Sequence, residues 1–229
     1  MQKLPEILIY DFDGVIVNSN KIKEQVFFNT VLSEFNSEIA TKFLLYHRAN
    51  IHVNRYDKFK YLFTNILKRE IDLPCYQKLL HNLSFTLKHE MVNYEVNTDI
   101  LKVRNFFSNS IFYIASGNNQ DELIDFLKKS NLISIFDGGV YGSPTPKLKI
   151  IQTIISLNAD NKGILFVGDT YDDYLISVKT NIPFVFMSKW SSNYELNKIK
   201  KQHSIVMINK LSQITKNSFN IKHKYELFK

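Results

Sequence analysis

Two aspartates one residue apart, Asp11 and Asp13, lie at the end of a short apolar stretch near the start of the chain. Aspartate is unfavourable in a strand, so its position here calls for a chemical reason. Two more acids, Asp169 and Asp173, follow a second apolar stretch at 163–168. Carboxylates can act as nucleophiles, as general acids and bases, or as ligands of a cation. These four acids are therefore the first candidates for an active site.

The chemistry that fits these acids is phosphoryl transfer at a magnesium ion. Several carboxylates at one place repel one another and need a cation, and an all-oxygen ligand set without cysteine or clustered histidine favours Mg²⁺. A metal-bound phosphate beside an aspartate places an electrophile beside a nucleophile, so hydrolysis can pass through an aspartyl-phosphate. A second acid two residues away can protonate the leaving oxygen and later activate water.

Five short apolar runs indicate the strands that would position these acids. Their apolar residues are continuous and do not alternate with polar ones, which is typical of strands buried on both faces of a parallel sheet. The runs lie at 6–11, 110–117, 163–169, 182–188 and 204–208.

Two stretches between these runs have apolar residues at helical spacing. The apolar positions are Leu123, Phe126 and Leu127 in the first stretch, and Leu148, Ile151 and Ile155 in the second. Asn119 with Glu122 forms a plausible capping pair at the start of the first helix, and Thr145-Pro146 would open the second. The alternation of strand and helix predicts an α/β fold with a doubly wound, Rossmann-like parallel sheet.

The unusual polar residues all follow the carboxyl ends of predicted strands, where open parallel sheets bind their ligands. These residues are Asp11, Asp13, Ser116, Asp169 and Asp173. Each alone could equally be a turn residue or a helix cap, but three strand ends with acids and a hydroxyl favour one shared site. We expect the Ser116 hydroxyl, with the amides of Gly117 and Asn118 at the start of the next helix, to hold phosphoryl oxygens.

The stretch from about 20 to 95 interrupts this alternation. It has no convincing buried strand, and its aromatic and aliphatic residues fall at helical spacing, with one stripe at 28–35 and another at 59–67. The sequence therefore predicts two domains: an α/β core formed by residues 1–18 and 96–229, and an inserted helical domain formed by residues 19–95.

Over essentially the whole chain, these features resemble the haloacid dehalogenase-like phosphatases. The family's first, second and fourth motifs match DFDGV at 11–15, YIASGN at 113–118 and GDTYDD at 168–173. The resemblance implies Asp11 as nucleophile and metal ligand, and Asp13 as general acid and base that also binds the metal through its backbone carbonyl. It further implies Asp169 as a metal ligand. Asp173 would be a further ligand or the neighbour of one, and Asp172 could take its place.

The third motif of the family supplies a lysine that neutralises the phosphoryl charge, and here the sequence departs from the pattern. The frequent form Lys-Pro-x-Pro is replaced by SPTP at 143–146. Lys147 follows at once, in the first turn of the predicted helix, where its side chain could reach the same place. Lys149 is the alternative, but it lies about 200° around the helix, so both cannot face one phosphate. We expect Lys147 to act, because it lies outside the apolar stripe and nearer the helix start.

The helical insert resembles the cap of phosphoglycolate phosphatase-like and sugar phosphatase-like members, which closes over the site and selects the substrate. Its polar residues include Arg55 and Lys58, two cations beside an expected helix start with Asn54 and Asp57 as the capping pair. We expect Arg55 and Lys58 to bind the non-phosphate end of the substrate. The alternative is that both belong to the solvated surface of a helix.

Charge and composition narrow the class of partner and the compartment. A net charge of +7, from 29 basic and 22 acidic residues, favours an anionic partner. The basic stretches at 198–203 and 222–229 lack the interleaved aromatic residues of a single-strand binder, so we expect a small phosphorylated metabolite and no nucleic acid. No apolar run approaches the roughly 20 residues of a membrane span. One cysteine and the absence of signal-peptide features predict a cytoplasmic protein without a membrane partner. We expect a monomer or a homodimer.

The sequence thus predicts a Mg²⁺-dependent phosphatase of small phosphate monoesters, such as a sugar phosphate or a phosphoglycolate-like compound. A phosphomutase of the β-phosphoglucomutase type stays open, since it would share Asp11 and Asp13 but return the phosphoryl group to a sugar. A dehalogenase is less favoured because that branch of the family lacks the acid at Asp13. The intact acids also argue against a non-catalytic basic binding protein on a hydrolase scaffold. A glycosyltransferase with an Asp-x-Asp metal site would lack the GDTYDD segment.

Overall fold

The computed structural model describes residues 4–51, 53–158, 163–202 and 205–215. The chain divides into two compact units, one formed by residues 1–18 with 95–229 and the other by residues 19–94. We call the first the core unit and the second the helical unit. The basic stretch at 222–229, the last residue of the stretch at 198–203 and the first residue of the run at 204–208 lie outside the described residues. Whether the helical unit acts as a cap stays a prediction.

Parallel strands form the centre of the core unit. The strands are β1 (Ile7–Tyr10), β2 (Val17–Asn18), β3 (Glu95–Val96), β4 (Ile111–Asn119), β5 (Gly139–Ser143), β6 (Ile164–Gly168), β7 (Phe184–Met187) and β8 (Val206–Ile208). Among the described residues, six of them form one sheet in the order β5-β4-β1-β6-β7-β8, and every neighbouring pair is parallel. β2 and β3 form a separate antiparallel pair. The predicted α/β fold with a doubly wound parallel sheet is confirmed.

Each of the five apolar runs contains a strand of this sheet, and β1 is buried along its whole length. β5 was not predicted. Its sequence, GVYGS, has two glycines and a single aliphatic residue, so it lacks the continuous apolar pattern that revealed the others. Pairing with β4 stabilises it as a strand at the edge of the sheet.

Helices connect the strands and also build the second unit. In chain order they are α1 (Asn20–Leu32), α2 (Ser37–Ala49), α3 (Arg55–Tyr61), α4 (Leu73–Glu90), α5 (Asp99–Phe106), α6 (Gln120–Lys129), α7 (Lys147–Leu157), α8 (Tyr171–Thr180) and α9 (Asn193–Lys200). One apolar cluster joins the sheet to α7, α8 and α9 and includes Ile9, Phe166, Ile151, Ile176 and Ile199. Across the described ranges, no helix has both the length and the apolar character that a membrane span requires.

The two predicted helices of the core unit form, with one correction. The Asn119 side chain accepts a hydrogen bond from the Glu122 amide at 3.1 Å, so the predicted cap of α6 is confirmed. The stripe predicted for α7 was partly wrong, because Leu148 and Ile155 are only partly buried. Apolar residues cover a wide arc of this helix, and the buried centre of that arc is formed by Ile150, Ile151 and Ile154.

The helical unit packs α1, α2, α3 and α4 around its own apolar core. Aromatic rings from three helices meet there, with the centroids of Phe27 and Phe59 6.1 Å apart and those of Phe43 and Phe59 5.6 Å apart. The predicted stripe at 59–67 contributes buried residues, and a π-helical turn spans Leu62–Ile66. The stripe predicted at 28–35 was partly wrong, because the buried face of the helix is shifted by about one residue. Phe27 is buried, whereas Leu32 is 39 % exposed.

A lysine and a histidine meet in the interior of the helical unit. Lys58 is 2 % exposed, and its ammonium lies 3.0 Å from Nδ1 of His47 and 3.2 Å from the carbonyl oxygen of Ile51. An ammonium can only donate, so Nδ1 of His47 must accept and the imidazole is neutral. The Phe27 ring packs against both, with centroids 4.4 Å from His47 and 5.2 Å from the Lys58 nitrogen.

We expect this pair to make folding pH-dependent. Burial lowers the pKa of His47 well below its ordinary value of 6.5, and the cations Lys58, Lys23 and Arg48 lower it further. Unfolded His47 takes up a proton near pH 6.5 and folded His47 does not, so the stability it contributes is complete above 6.5 and is lost as the pH falls below it.

His47→Gln keeps an acceptor but cannot titrate. The free energy of unfolding, measured by urea denaturation, should fall by about 1.4 kcal/mol more in wild type than in this variant between about pH 7.5 and about pH 5.5. Equal falls in the two proteins would contradict the prediction.

Candidate active site

Three buried carboxylates from two distant parts of the sequence meet where the strands of the sheet end. Asp11 follows β1, Asp169 follows β6, and Asp173 lies in the first turn of α8. One carboxylate oxygen from each can be chosen so that all lie within 4.8 Å of one another. The strand order explains this meeting, because β1 and β6 are direct neighbours in the sheet and end at the same edge.

A lysine whose side chain is 16 % exposed lies between two of these acids. Nζ of Lys147 is 3.0 Å from Oδ2 of Asp11 and 2.8 Å from Oδ1 of Asp173. Lys147 is the first residue of α7, so its side chain leaves the helix at the edge where the strands end. Lys149, the alternative from the sequence, is exposed. The structure thus places the expected lysine among the acids although the usual third motif is absent.

Burial and charge act in opposite directions on these groups. Burial raises the pKa of Asp11 to about 7, Lys147 opposes that rise, and Asp173 and Asp13 add to it. Burial alone would lower the pKa of Lys147, but the carboxylates of Asp11 and Asp173 outweigh it and hold the pKa above its usual value. The lysine is therefore charged, and its charge is what allows acids to lie this close together away from water.

Asp173 has two tasks, and each of its oxygens serves one. Oδ1 contacts Lys147, while Oδ2 accepts hydrogen bonds from the hydroxyl of Thr170 at 2.7 Å and from its amide at 3.3 Å. The Thr170 hydroxyl in turn accepts from the Asp173 amide, which completes a capping box at the start of α8. Asp172, which the sequence left open as an alternative, is half-buried and is not one of the clustered acids.

A second group forms around Asp13 and the end of β4. The Asn118 side chain donates to Oδ2 of Asp13 at 2.8 Å, and the Asn118 amide donates to the Ser116 hydroxyl at 3.2 Å. Ser116 is fully buried and Gly117 is exposed. The expectation that the Gly117 and Asn118 amides begin a helix was wrong. β4 continues to Asn119 and α6 begins only at Gln120, because the Asn119 side chain caps the helix there.

Gly14 allows the first motif to approach Asp169 closely. Its φ is +71°, in the left-handed region, and a Cβ at this position would lie 2.0 Å from Oδ2 of Asp169. No side chain fits between the two segments. The glycine after Asp13 is thus required both by the turn and by the place of the Asp169 carboxylate.

The donor set fits a hard divalent cation. Asp11, Asp169 and Asp173 offer only oxygen atoms, all three are buried, and a single lysine, Lys147, contacts two of them. The Asp13 carboxylate is not part of this cluster, so a role for Asp13 as a metal ligand stays a prediction that concerns its carbonyl oxygen. The cluster could hold a metal ion through Asp11 and Asp169, with Asp173 as a third acid.

Arg55 and Lys58, the cations predicted to bind substrate, lie in the helical unit. Both are buried, so the alternative that they belong to a solvated helix surface was wrong. Arg55 donates to the Ser84 hydroxyl at 2.8 Å, and Lys58 contacts His47. The Asn54 side chain accepts from the Asp57 amide at 2.9 Å, which confirms the predicted cap of α3. Substrate contact by Arg55 and Lys58 stays a prediction.

Comparisons with known proteins agree with this geometry. The haloacid dehalogenase-like hydrolase family model matches residues 8–187, which include all of β1 except its first residue, and also β4, β6 and the clustered acids. The chain belongs to the haloacid dehalogenase-like hydrolase family and is thus an enzyme of the hydrolase class. A comparison with curated proteins finds none that matches the chain.

Solved structures show the same fold at low sequence identity. A predicted phosphoglycolate phosphatase from Haemophilus somnus is similar with a TM-score of 0.71 and 14% identity, over 94% of this chain and 99% of that one. A haloacid dehalogenase-like family protein from Streptococcus pneumoniae is similar with a TM-score of 0.64 and 17% identity, over 90% and 95%. CbbY from Rhodobacter sphaeroides, in complex with phosphate, is similar with a TM-score of 0.69 and 9% identity, over 92% and 96%.

Two contributions to the site were not predicted from the sequence. The Thr170 cap had a signal, because a threonine followed three residues later by an acid is a capping-box pattern at a helix start. The contact between the Asn118 side chain and Asp13 had none, since it joins residues that are 105 positions apart. It depends on β1 and β4 being neighbours, which the sequence alone does not specify.

We expect Gly14→Ala to disable the acidic cluster while the fold survives. The left-handed backbone should cost about 1 to 2 kcal/mol of unfolding free energy, and the new methyl group should displace the Asp169 carboxylate. Mg²⁺ binding, followed by calorimetric titration, should be strongly weakened. Gly117→Ala is the matched control, because a Cβ there meets nothing within 4 Å. Wild-type Mg²⁺ affinity in Gly14→Ala would show that the close approach is not required.

Proposed function

We propose that the protein is a Mg²⁺-dependent phosphatase of small phosphate monoesters that acts through an aspartyl-phosphate on Asp11. The observation that carries this proposal is the Lys147 ammonium, which lies 3.0 Å from Oδ2 of Asp11 inside a buried group of acids. A nucleophilic carboxylate with a fixed cation beside it can approach an anionic phosphoryl group, which a lone carboxylate would repel. Membership of the haloacid dehalogenase-like hydrolases supports the same reaction class.

Asp11 attacks the phosphorus, and Asp13 moves the protons. An oxygen of Asp11 forms the bond to phosphorus while the bond to the leaving oxygen breaks, and the Asp13 carboxyl donates its proton to that oxygen. Asp13 then takes a proton from a water molecule, whose oxygen attacks the phosphorus. The bond between phosphorus and Asp11 breaks, inorganic phosphate leaves, and the Asp11 carboxylate is restored. The hydrogen bond from Asn118 at 2.8 Å supports this role, because it orients the Asp13 carboxyl.

Groups at the end of one strand, β4, and at the start of one helix, α7, hold the phosphoryl oxygens. Lys147 supplies the positive charge, and Asp173 orients it through the 2.8 Å contact with Nζ. The Ser116 hydroxyl and the exposed amide of Gly117 supply hydrogen bonds from the end of β4. These fixed donors stabilise the charge that develops in the transition state.

Asp11 and Asp169, with the backbone carbonyl of Asp13, would hold the magnesium ion, and Asp173 lies beside them. When bound, Mg²⁺ supplies positive charge that orients the phosphate and reduces its repulsion from Asp11. The oxygen-only donor set and its burial support this ion over softer metals.

A sugar phosphate or a phosphoglycolate-like compound is the substrate class we propose. One similar protein is described as a predicted phosphoglycolate phosphatase, and CbbY was also solved in complex with xylulose-(1,5)bisphosphate. We further propose that the helical unit selects the substrate and that Arg55 and Lys58 bind its non-phosphate end. The single cysteine fits a reducing compartment, so we place the activity in the cytoplasm.

Hydrolysis of a panel of phosphorylated metabolites, with and without Mg²⁺, tests the proposal. The panel should contain phosphoglycolate, hexose phosphates, sugar bisphosphates and nucleotides, and release of inorganic phosphate should be measured for each. We expect Mg²⁺-dependent release from a small monoester. Transfer of the phosphoryl group to a sugar, with no inorganic phosphate released, would instead identify a phosphomutase.

Asp11→Asn should abolish turnover and leave the fold intact, because asparagine keeps the size of the side chain but not its nucleophilic charge. We expect a loss of several orders of magnitude in kcat. Asp172→Asn is the matched control, since that acid lies outside the cluster and should keep wild-type turnover. Intact-mass measurement after rapid quenching should detect a phosphoryl adduct in wild type and none in Asp11→Asn. Turnover of Asp11→Asn within tenfold of wild type would rule out the covalent route.

Lys147→Ala should lower turnover at least about a hundredfold, a loss of about 2.7 kcal/mol of transition-state stabilisation. Lys149→Ala removes an exposed lysine of the same helix and should be nearly neutral. Both variants should be compared by kcat and KM on the best substrate of the panel. The reverse ranking would show that the lysine of this site has been wrongly assigned.

A further inference from the structure

Two side chains of the segment that follows β7 contact the backbone of the turn between Asp169 and Asp173. The Ser191 hydroxyl donates to the carbonyl oxygen of Asp169 at 2.6 Å. Glu195 lies in the first turn of α9, and its Oε2 accepts a short hydrogen bond from the Tyr171 amide. The Asp169 carbonyl and the Tyr171 amide belong to consecutive peptide groups. Both peptide planes directly after Asp169 are therefore fixed by side chains from one distant segment.

Glu195 is built into this place and is not a surface acid that happens to reach it. Its side chain is 4 % exposed, and burial of a carboxylate is costly unless hydrogen bonds compensate it. The Ser192 hydroxyl accepts from the Glu195 amide at 3.2 Å and caps α9, which fixes the start of the helix that carries the acid. Lys198, one turn later, lies 3.9 Å from Oε1.

The Tyr171 amide is a group that helix geometry leaves without an acceptor. It is the first amide of α8, and the first amides of a helix have no carbonyl partner within the helix. The Thr170 side chain is already engaged with Asp173, so the cap does not supply an acceptor for Tyr171. Glu195 fills this position from 24 residues further along the chain.

The turn has little freedom on its opposite side. Oδ2 of Asp169 lies 2.0 Å from the place that a Cβ of Gly14 would occupy, so the carboxylate packs directly against the backbone of the first motif. A change in the backbone conformation at Asp169 would shift its carboxylate relative to Gly14. The contacts of Ser191 and Glu195 oppose that change.

We propose that Ser191 and Glu195 are positioning residues that set the affinity of the Asp169 carboxylate for a divalent cation. The identity of the ion as Mg²⁺ rests on the proposed function, but the contacts themselves do not depend on it. The contacts of both residues described above are with the backbone of the turn that carries Asp169. Supporting contacts of this kind typically change metal affinity by about 10- to 100-fold.

Calorimetric titration of the purified full-length protein with Mg²⁺ tests this inference. Ser191→Ala and Glu195→Ala remove the donor and the acceptor, and each should raise the dissociation constant at least about tenfold. Ser191→Thr and Glu195→Gln keep a hydroxyl and a side-chain oxygen, and both should stay close to wild type. This rescue by the conservative variant is not expected if the residues only stabilise the fold. If Glu195→Ala does not fold, the comparison of Ser191→Ala with Ser191→Thr decides.

Ser212→Ala is the matched control. The Ser212 hydroxyl donates to Oδ2 of Asp99 at 2.8 Å and joins two segments of the same unit outside the acidic cluster. This variant should lower the melting temperature without changing Mg²⁺ affinity. Unchanged affinity in Ser191→Ala and Glu195→Ala, or equal losses in Ser212→Ala, would overturn the inference, and a wild-type protein that does not bind Mg²⁺ would overturn it together with the proposed function. If the expected ranking holds but no monoester of the panel is hydrolysed, the proposed function fails and the inference stands.

Discussion

The charge of Lys147 is the condition for the rest of the site. Asp11 and Asp173 are both buried. Burial raises the pKa of Asp11, and the charge of Lys147 opposes that rise. The ammonium lies 3.0 Å from Asp11 and 2.8 Å from Asp173, so one cation is shared by two acids. Lys147 begins α7 and contacts both Asp11, which follows β1, and Asp173 in α8. The same ion pairs therefore determine the charge of the site and connect three elements of the core unit.

Backbone geometry then decides which oxygens face the cluster. Gly14 allows the first motif to touch Asp169, and the capping box of α8 turns Asp173 towards Lys147. Ser191 and Glu195 hold the peptide groups between these two acids. The positions of the clustered carboxylates therefore depend on residues outside the cluster, and these residues come from three separate stretches of the chain.

The sequence predicted the parts that carry their own chemical or periodic signal. Continuous apolar runs revealed most strands of the sheet, and acids after several strands revealed the cluster, because aspartate is unfavourable within a strand and acids at several strand ends favour one shared site. β5 was missed because two glycines weaken its pattern. The partners of Asp13 and Tyr171, namely Asn118 and Glu195, could not be predicted, because each contact depends on which elements become neighbours in the folded core unit.

The small β2 and β3 pair has a consequence for how this chain can vary. Val17 and Asn18 pair antiparallel with Val96 and Glu95, so the two connections to the helical unit leave the core unit side by side. The Asn18 side chain also donates to Glu95 at 3.1 Å. The two ends of the intervening segment lie close together, so the distance between them does not restrict the length or the fold of that segment. Insertions are tolerated at such places. The ribbon thus allows residues 19–94 to vary in length while the strands that carry Asp11 and Asp169 keep their register.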